Sequence, residues 1–351
     1  MSKKERLKYV DLLRIIAIIP VVVCHWTRGL EYAGVTYDSK ILPDEIFSLY
    51  LGGFGVAVFF VLSGISLMYT YEGKLDIKKY FYKRFVGIYP MFWIAWIIAF
   101  CYYFVVNHGN YYTNAPKWTM IWSFLGLDGY FYNFGANWYL LGEWFLGCLL
   151  FLYLLFPILK WGIENHPVVT GIIIVTVYLV LSVFYKGAIH RNNFFLFRVP
   201  EFAFGMYFVK YWKKPNVASG IITLAFLAFM QLFPFHKFLD DETFFFTAVY
   251  RNTLVGIAAV IGVCWLCSYI KADGFFGLCA KISKYGYAVF LTHHVIITEF
   301  TKVFSGQHFG ILKNYIAFFI VVVITGVASV LLYKLDRKVR GVFSRKPKLQ
   351  S

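Results

Sequence analysis

Ten stretches of this 351-residue chain are apolar for long enough to cross a lipid bilayer. Few folds remain open to such a chain. Hydrocarbon offers no water to the backbone, so a crossing segment must satisfy its own N–H and C=O groups, which a helix does. The runs fall at residues 9–27, 49–70, 88–107, 138–159, 167–185, 194–210, 216–234, 245–270, 285–303 and 313–333, each near the length of about 20 residues that a spanning helix needs. Composition agrees: 60% of residues are hydrophobic, 15% are charged, and the mean hydropathy is +0.64, outside the range of a water-soluble domain. The expectation is an all-α, polytopic integral membrane protein with about ten transmembrane helices.

Lysine and arginine set its orientation, because basic residues accumulate in cytoplasmic loops. With the N-terminus inside, the cytoplasmic segments hold 23 of the 34 basic residues, in the tail to Lys8, between Lys74 and Arg84, at Lys160, in Lys210–Lys214 and Lys271–Lys284, and after Tyr333. Both termini are then cytoplasmic. The net charge of +16 becomes a topological signal and an affinity for anionic lipid heads, with no nucleic acid expected as a partner. A transmembrane domain over 1–340, a basic cytoplasmic tail over 341–351 and no soluble esterase-like domain are expected. The first run carries Arg14 and no clear cleavage site, so it reads as a span rather than a leader. Six cysteines are scattered through apolar segments, and Cys264 and Cys267 lack metal-spaced partners. Neither a disulfide framework nor a metal site is expected.

Ionisable residues inside spans then become the candidates, since each is penalised by roughly 2.5–3.5 kcal/mol at a helix centre. Arg14 and His25 lie eleven residues apart in the first run, close to three helical turns, so both occupy one face about 16 Å apart along the axis. Arginine suits a phosphate through bidentate hydrogen bonds, and histidine is a proton acceptor near neutral pH. Pairing of Arg14 with Asp11 and a packing role for His25 are the structural alternatives. Glu143 enters the fourth span, Arg198 and Glu201 open the sixth at pairing distance, and His293 precedes His294 in the ninth. Trp26, Trp138 and Tyr139 sit where an outer substrate could stack.

At these positions the chain resembles acyltransferase family 3, bacterial integral-membrane proteins that modify cell-surface glycans and other envelope molecules. The opening Asp11-x-x-Arg14 through His25 is similar to the family's first span. Gly55–Gly64 resembles its second-span signature, and Tyr82-Lys83-Arg84 through Ile88-Tyr89-Pro90 its basic loop. Trp138-Tyr139-Leu140 with Glu143 resembles the fourth span, Arg198-Val199-Pro200-Glu201-Phe202 with Gly205 the sixth, and Tyr287 through His293 a late segment ending in histidine. The chain departs from the family at Gly87, where a second arginine is usual; many members also carry a soluble esterase-like domain, which is not expected here.

The resemblance implies acetyl-CoA as acyl donor, docked from the cytoplasm with its diphosphate near Arg14, Arg84 and Lys83 and its pantetheine arm directed toward His25. It implies catalytic roles for His25, Glu143 and His293, the first as general base or transient acyl carrier, and substrate contacts for Arg198, Trp138 and Tyr139. The acceptor would be an envelope glycan or lipid-linked sugar at a bacterial plasma membrane, with a separate acceptor-side protein as a further partner. The competing reading is a non-enzymatic transporter or lipid-linked sugar flippase whose intramembrane charges line a path.

Overall fold

A computed structural model describes residues 6–109, 115–135, 138, 141, 144–212, 214–233 and 248–344. Its helices are α1 (Lys8–Tyr32), α2 (Leu51–Thr70), α3 (Ile77–Val106), α4 (Met120–Leu125), α5 (Asp128–Phe131), α6 (Trp144–Asn165), α7 (Pro167–Phe184), α8 (Val199–Tyr207), α9 (Val217–Leu232), α10 (Ala248–Tyr269), α11 (Asp273–Ser283), α12 (Gly286–Lys302) and α13 (Ile311–Ser344). Four two-residue strands are β1 (Thr36–Tyr37), β2 (Glu45–Ile46), β3 (Leu49–Tyr50) and β4 (His308–Phe309). Among the described residues, seven helices are long and apolar enough to cross a membrane, namely α1, α2, α3, α6, α7, α10 and α13. This is a multi-pass helical membrane protein. The remaining three of the ten expected spans fall on shorter helices. One is α9, of 16 residues, and another is α12, of 17 residues. The last is a mixed run in which a 3₁₀ turn, Phe195–Arg198, leads into α8 and a π-helical turn, Phe208–Trp212, follows it.

The chain divides into two compact units. The first contains residues up to Thr27, Lys40–Leu75 and Cys148–Lys284, and α2 is its centre: 78% of the apolar window of α2 is buried, against 11% for α7. Apolar surface alone does not draw helices together in lipid, so packing depends on close backbone approach at small residues. A Cβ on Gly64 would lie 1.9 Å from the Phe202 carbonyl oxygen, and one on Gly205 would lie 2.1 Å from that of Val61. These two glycines thus make a reciprocal crossing between α2 and α8. Gly55 does the same against the Ala17 carbonyl of α1 at 2.3 Å, and Gly256 of α10 meets Ala57. Around these seams pack Leu13, Phe54, Val58, Val61, Ile65, Phe208 and Val255.

The second unit contains Arg28–Ser39, Asp76–Gly147 and residues from Tyr285 onward. Here the structure corrects the sequence reading of Tyr82–Pro90 as a loop before a span starting at 88. Those residues belong to α3, one 30-residue helix whose N-cap Asp76 accepts a hydrogen bond from the Lys79 N–H. Hydropathy locates the stretch that can lie in hydrocarbon, whereas the cap determines where the helix begins. Helices α3, α12 and α13 pack together, with Tyr102 and Tyr103 both donating to Glu299 and Thr292 bonded to Ser329 at 3.0 Å. β1 pairs in parallel with β4, and His308 fastens this corner through Thr36 at 2.9 Å and Asp38 at 3.0 Å.

Candidate functional site

The first unit has polar groups at both ends of its apolar core. One end gathers the start of α1 and the end of α2. Asp11 lies in the first turn of α1, where an acid is favoured by the helix dipole, and its side chain is 3% exposed. It accepts two bonds from Arg6, Nε to Oδ2 at 2.5 Å and Nη2 to Oδ1 at 2.8 Å, and a third from Ser283 Oγ at 2.6 Å. Arg14 Nη1 stands farther off, 3.7 Å from Asp11 Oδ1, while its Nη2 donates to Ser66 Oγ of α2 at 3.1 Å. The alternative of an Asp11–Arg14 pair is therefore only a secondary contact, and the Arg14 side chain remains 38% exposed. Its guanidinium has donors left for an anion. At the same end, Glu164 bridges Lys160 and Lys210, and Lys160 also donates to the Gly73 carbonyl at 2.9 Å.

Eleven residues along α1, His25 is half-buried between Cys24 and the fully buried Trp26. Cys24 Sγ contacts the Tyr50 hydroxyl at 3.0 Å. Pro20 lies between Arg14 and His25 inside the helix, where it removes one intrahelical bond. The consecutive glycines Gly52 and Gly53 at the start of α2 tie this level of α1 to α10: a Cβ on Gly52 would meet Cys24 Sγ at 2.8 Å, and one on Gly53 would meet Asn252 Oδ1 at 3.2 Å. Asn252 begins a buried polar cluster. Its Nδ2 donates to Asn192 Oδ1 at 3.1 Å, and the Asn192 carbonyl accepts from Arg198 Nε at 2.8 Å. Arg198 pairs with Glu201 at 2.9 Å, both at most 1% exposed, and lies over the Phe60 ring at 5.5 Å. Thr253, next to Asn252 in the chain, shares a hydrogen bond with Tyr178 at 3.0 Å. Spacing of three residues made the Arg198–Glu201 pair readable. Asn192 and Asn252 are 60 residues apart, and the only sequence hint was a run of polar residues, Arg251-Asn252-Thr253, in an apolar span.

The other sequence candidates lie in the second unit or outside the described residues. Lys83 is exposed and Arg84 half-buried, both on the first turns of α3. His293 of α12 is 1% exposed, and its Nδ1 lies 2.9 Å from the carbonyls of both Val289 and Phe290. A carbonyl only accepts, so Nδ1 carries a proton. Tyr287, six residues earlier, donates to the Ile88 carbonyl of α3 at 3.3 Å. Trp138 is buried, its indole N–H directed to the Pro116 carbonyl at 3.4 Å and its ring 6.2 Å from Phe100. Tyr139 and Glu143 lie outside the described residues. Among the described residues no cluster of His, Cys, Asp and Glu has the arrangement to hold a metal ion.

Many long apolar helices, glycine-seamed around α2 and carrying buried ionisable side chains at both ends of one core, define a multi-pass membrane protein with charged groups inside its helical bundle. The acyltransferase domain of acyltransferase family 3 matches residues 7–334, and the chain belongs to that family. Over 94 residues it is 30% identical to the acyltransferase MdmB of Streptomyces mycarofaciens, a stretch that is 27% of this chain and 23% of that protein. No solved structure matches the chain.

Proposed function

We propose that the protein is a membrane-bound O-acyltransferase, transferring acetyl from cytoplasmic acetyl-CoA to a hydroxyl of a cell-envelope or exported polysaccharide or glycolipid. The observation that carries the proposal is the course of α1. One helix presents Arg14, partly exposed and only weakly held by Asp11, at one polar end of the first unit, and His25 at the level of the other. Their axial separation of about 16 Å is of the order of a pantetheine arm. In this reading Arg14 holds the donor's phosphates and the thioester carbonyl reaches the level of His25. The imidazole accepts the proton of the acceptor hydroxyl, whose oxygen attacks the thioester carbon. The tetrahedral adduct collapses with loss of the CoA thiolate, which takes the proton from His25. The Arg198–Glu201–Asn192–Asn252 cluster orders the acceptor end. Lys83, Arg84, His293, Trp138, Glu143 and Tyr139 keep, within this proposal, the roles that the family resemblance implies. A bacterial plasma membrane with both chain termini cytoplasmic is part of the same reading, as is an acceptor-side partner protein.

Purified protein in detergent or vesicles, given acetyl-CoA and candidate glycans, is expected to transfer acetyl, and His25→Ala to lower the rate by about 10²–10⁴-fold, the usual contribution of general-base catalysis, without unfolding. Wild-type activity in a folded His25→Ala protein would overturn the assignment. Acetyl-CoA at 100 times its dissociation constant should stabilise the folded state by about 2.7 kcal/mol. No such shift, together with substrate flux without acyl transfer, would establish a transporter instead.

A further inference from the structure

Helix α11 is eleven residues long, about half the length needed to span a bilayer, yet it carries a row of exposed apolar side chains. Phe275, Leu278 and Ile282 are 45%, 55% and 49% exposed. At 100° per residue they fall within an arc of about 60°. A neighbouring arc, formed by Phe276, Cys279 and Ser283, is buried against the first unit. Beyond the exposed row, about 60° farther round, comes exposed Lys281, and exposed Lys271 and Lys284 flank the helix. The helix is also fastened to the start of α1 at several points: Ser283 donates to Asp11 at 2.6 Å, Arg6 to the Ala280 carbonyl at 3.4 Å, and Lys8 to Asp273 at 2.6 Å. One side of α11 is thus held by protein, the next is apolar and uncovered, and the edge beyond that is basic. This is the arrangement of an amphipathic helix lying in the plane of a membrane interface.

We propose that α11 is an in-plane interfacial helix that docks on anionic bilayer lipid, with Phe275, Leu278 and Ile282 among the upper acyl chains and Lys271, Lys281 and Lys284 on the phosphates of the headgroups. The choice of anionic lipid follows from charge: three lysines and no acid other than Asp273, which Lys8 holds, border the exposed row. The proposal does not depend on the acyl donor or the acceptor. Because Ser283 and the Ala280 carbonyl belong to the same hydrogen-bonded group as Asp11, lipid docking would also fix the turn of α1 that carries Arg14.

The test uses the full chain in phosphatidylcholine vesicles with and without phosphatidylglycerol. The photoreactive residue p-benzoylphenylalanine replaces Leu278 in one preparation and Gly277, on the opposite polar arc, in another. Irradiation and mass spectrometry should give lipid adducts at position 278 and few at 277. Phosphatidylglycerol should be over-represented among them relative to its share of the vesicle, and Lys281→Glu should reduce that preference at least about fivefold, the effect of losing one basic residue near an anionic surface. Adducts to a second protein chain at 278, or no lipid adducts there, would overturn the docking proposal. Equal capture of both lipids with no effect of Lys281→Glu would overturn its anionic selectivity.

Discussion

At the scale of single residues, the division of Asp11 among its partners is the feature with the clearest functional consequence. An acid three residues before an arginine would ordinarily pair with it, and a paired Arg14 would be a poor receptor for phosphate. Arg6 takes that place instead, with both of its bonds to Asp11 shorter than the Arg14 contact. Arg6→Ala is therefore expected to let Asp11 capture Arg14 and to weaken binding of acetyl-CoA by about tenfold, the scale of one charge-assisted hydrogen bond. Adding Asp11→Asn should restore much of the affinity, because the competing charge is gone. A merely structural Arg6 would show no such rescue in a binding titration. The buried pair of Arg198 and Glu201 yields a second expectation. Removing one member of a buried ion pair leaves an uncompensated charge and costs about 3–5 kcal/mol. Arg198→Met should thus lower the yield and thermal midpoint of the folded protein, and Arg198→Met with Glu201→Leu should recover part of the loss in the same melt. Both pairs could be foreseen as spacings in the sequence. What spacing could not give was the competitor: Arg6 reaches Asp11 through the chain's path into α1, and Ser66 and Ser283 arrive from 52 and 272 residues away.

Elements show a similar limit. Gly55 and Gly64 were recognisable as part of a second-span signature, and Gly205 as part of the sixth, but a signature does not say which glycine faces which backbone. In the structure Gly64 and Gly205 are the two halves of one crossing. An alanine methyl at Gly64 would be 1.9 Å from a backbone oxygen, which no rotamer change can relieve, so α2 and α8 must separate. Overpacking of this kind costs about 1–3 kcal/mol or more. Gly87 is the counter-case. It lies within α3, and a Cβ there meets nothing within 4 Å, so Gly87→Ala should gain about 0.5–1 kcal/mol of helix stability. Thermal unfolding of the two variants side by side should move the midpoint in opposite directions. Equal shifts would mean that the α2–α8 seam is not tight. The α3 boundary was misread for a related reason. Charged residues from Lys78 to Arg84 break the apolar window although the backbone is already helical from Ile77, since helix formation needs a cap and propensity, and hydrophobicity determines only how much of the helix can enter lipid.

At the scale of the whole molecule, the number of crossings decides where the chemistry can occur, and parity makes it measurable. If only the seven long apolar helices crossed, an odd count would put the start of α1 and the end of α13 on opposite sides. The seven basic residues after Tyr333 would then face outward, against the bias that holds lysine and arginine in cytoplasmic segments. If α9, α12 and the 3₁₀–α8–π run also cross, both ends lie in the cytoplasm with those residues. The shorter helices are compatible with crossing. Sixteen or seventeen residues extend about 24–26 Å, a few ångströms short of the hydrocarbon core, and local thinning or lysine snorkelling absorbs such a mismatch at a fraction of a kcal/mol per ångström. Fusions of a cytoplasm-fluorescent reporter and a periplasm-active phosphatase to each end are thus expected to give fluorescence without phosphatase activity at both. The same phosphatase fused within 185–194, between α7 and the mixed run, should be active, and fused near Lys214 it should be silent. Activity near Lys214 would mean that the mixed run turns back without crossing. The count would then be odd, and the two end fusions should report fluorescence at one end and phosphatase activity at the other.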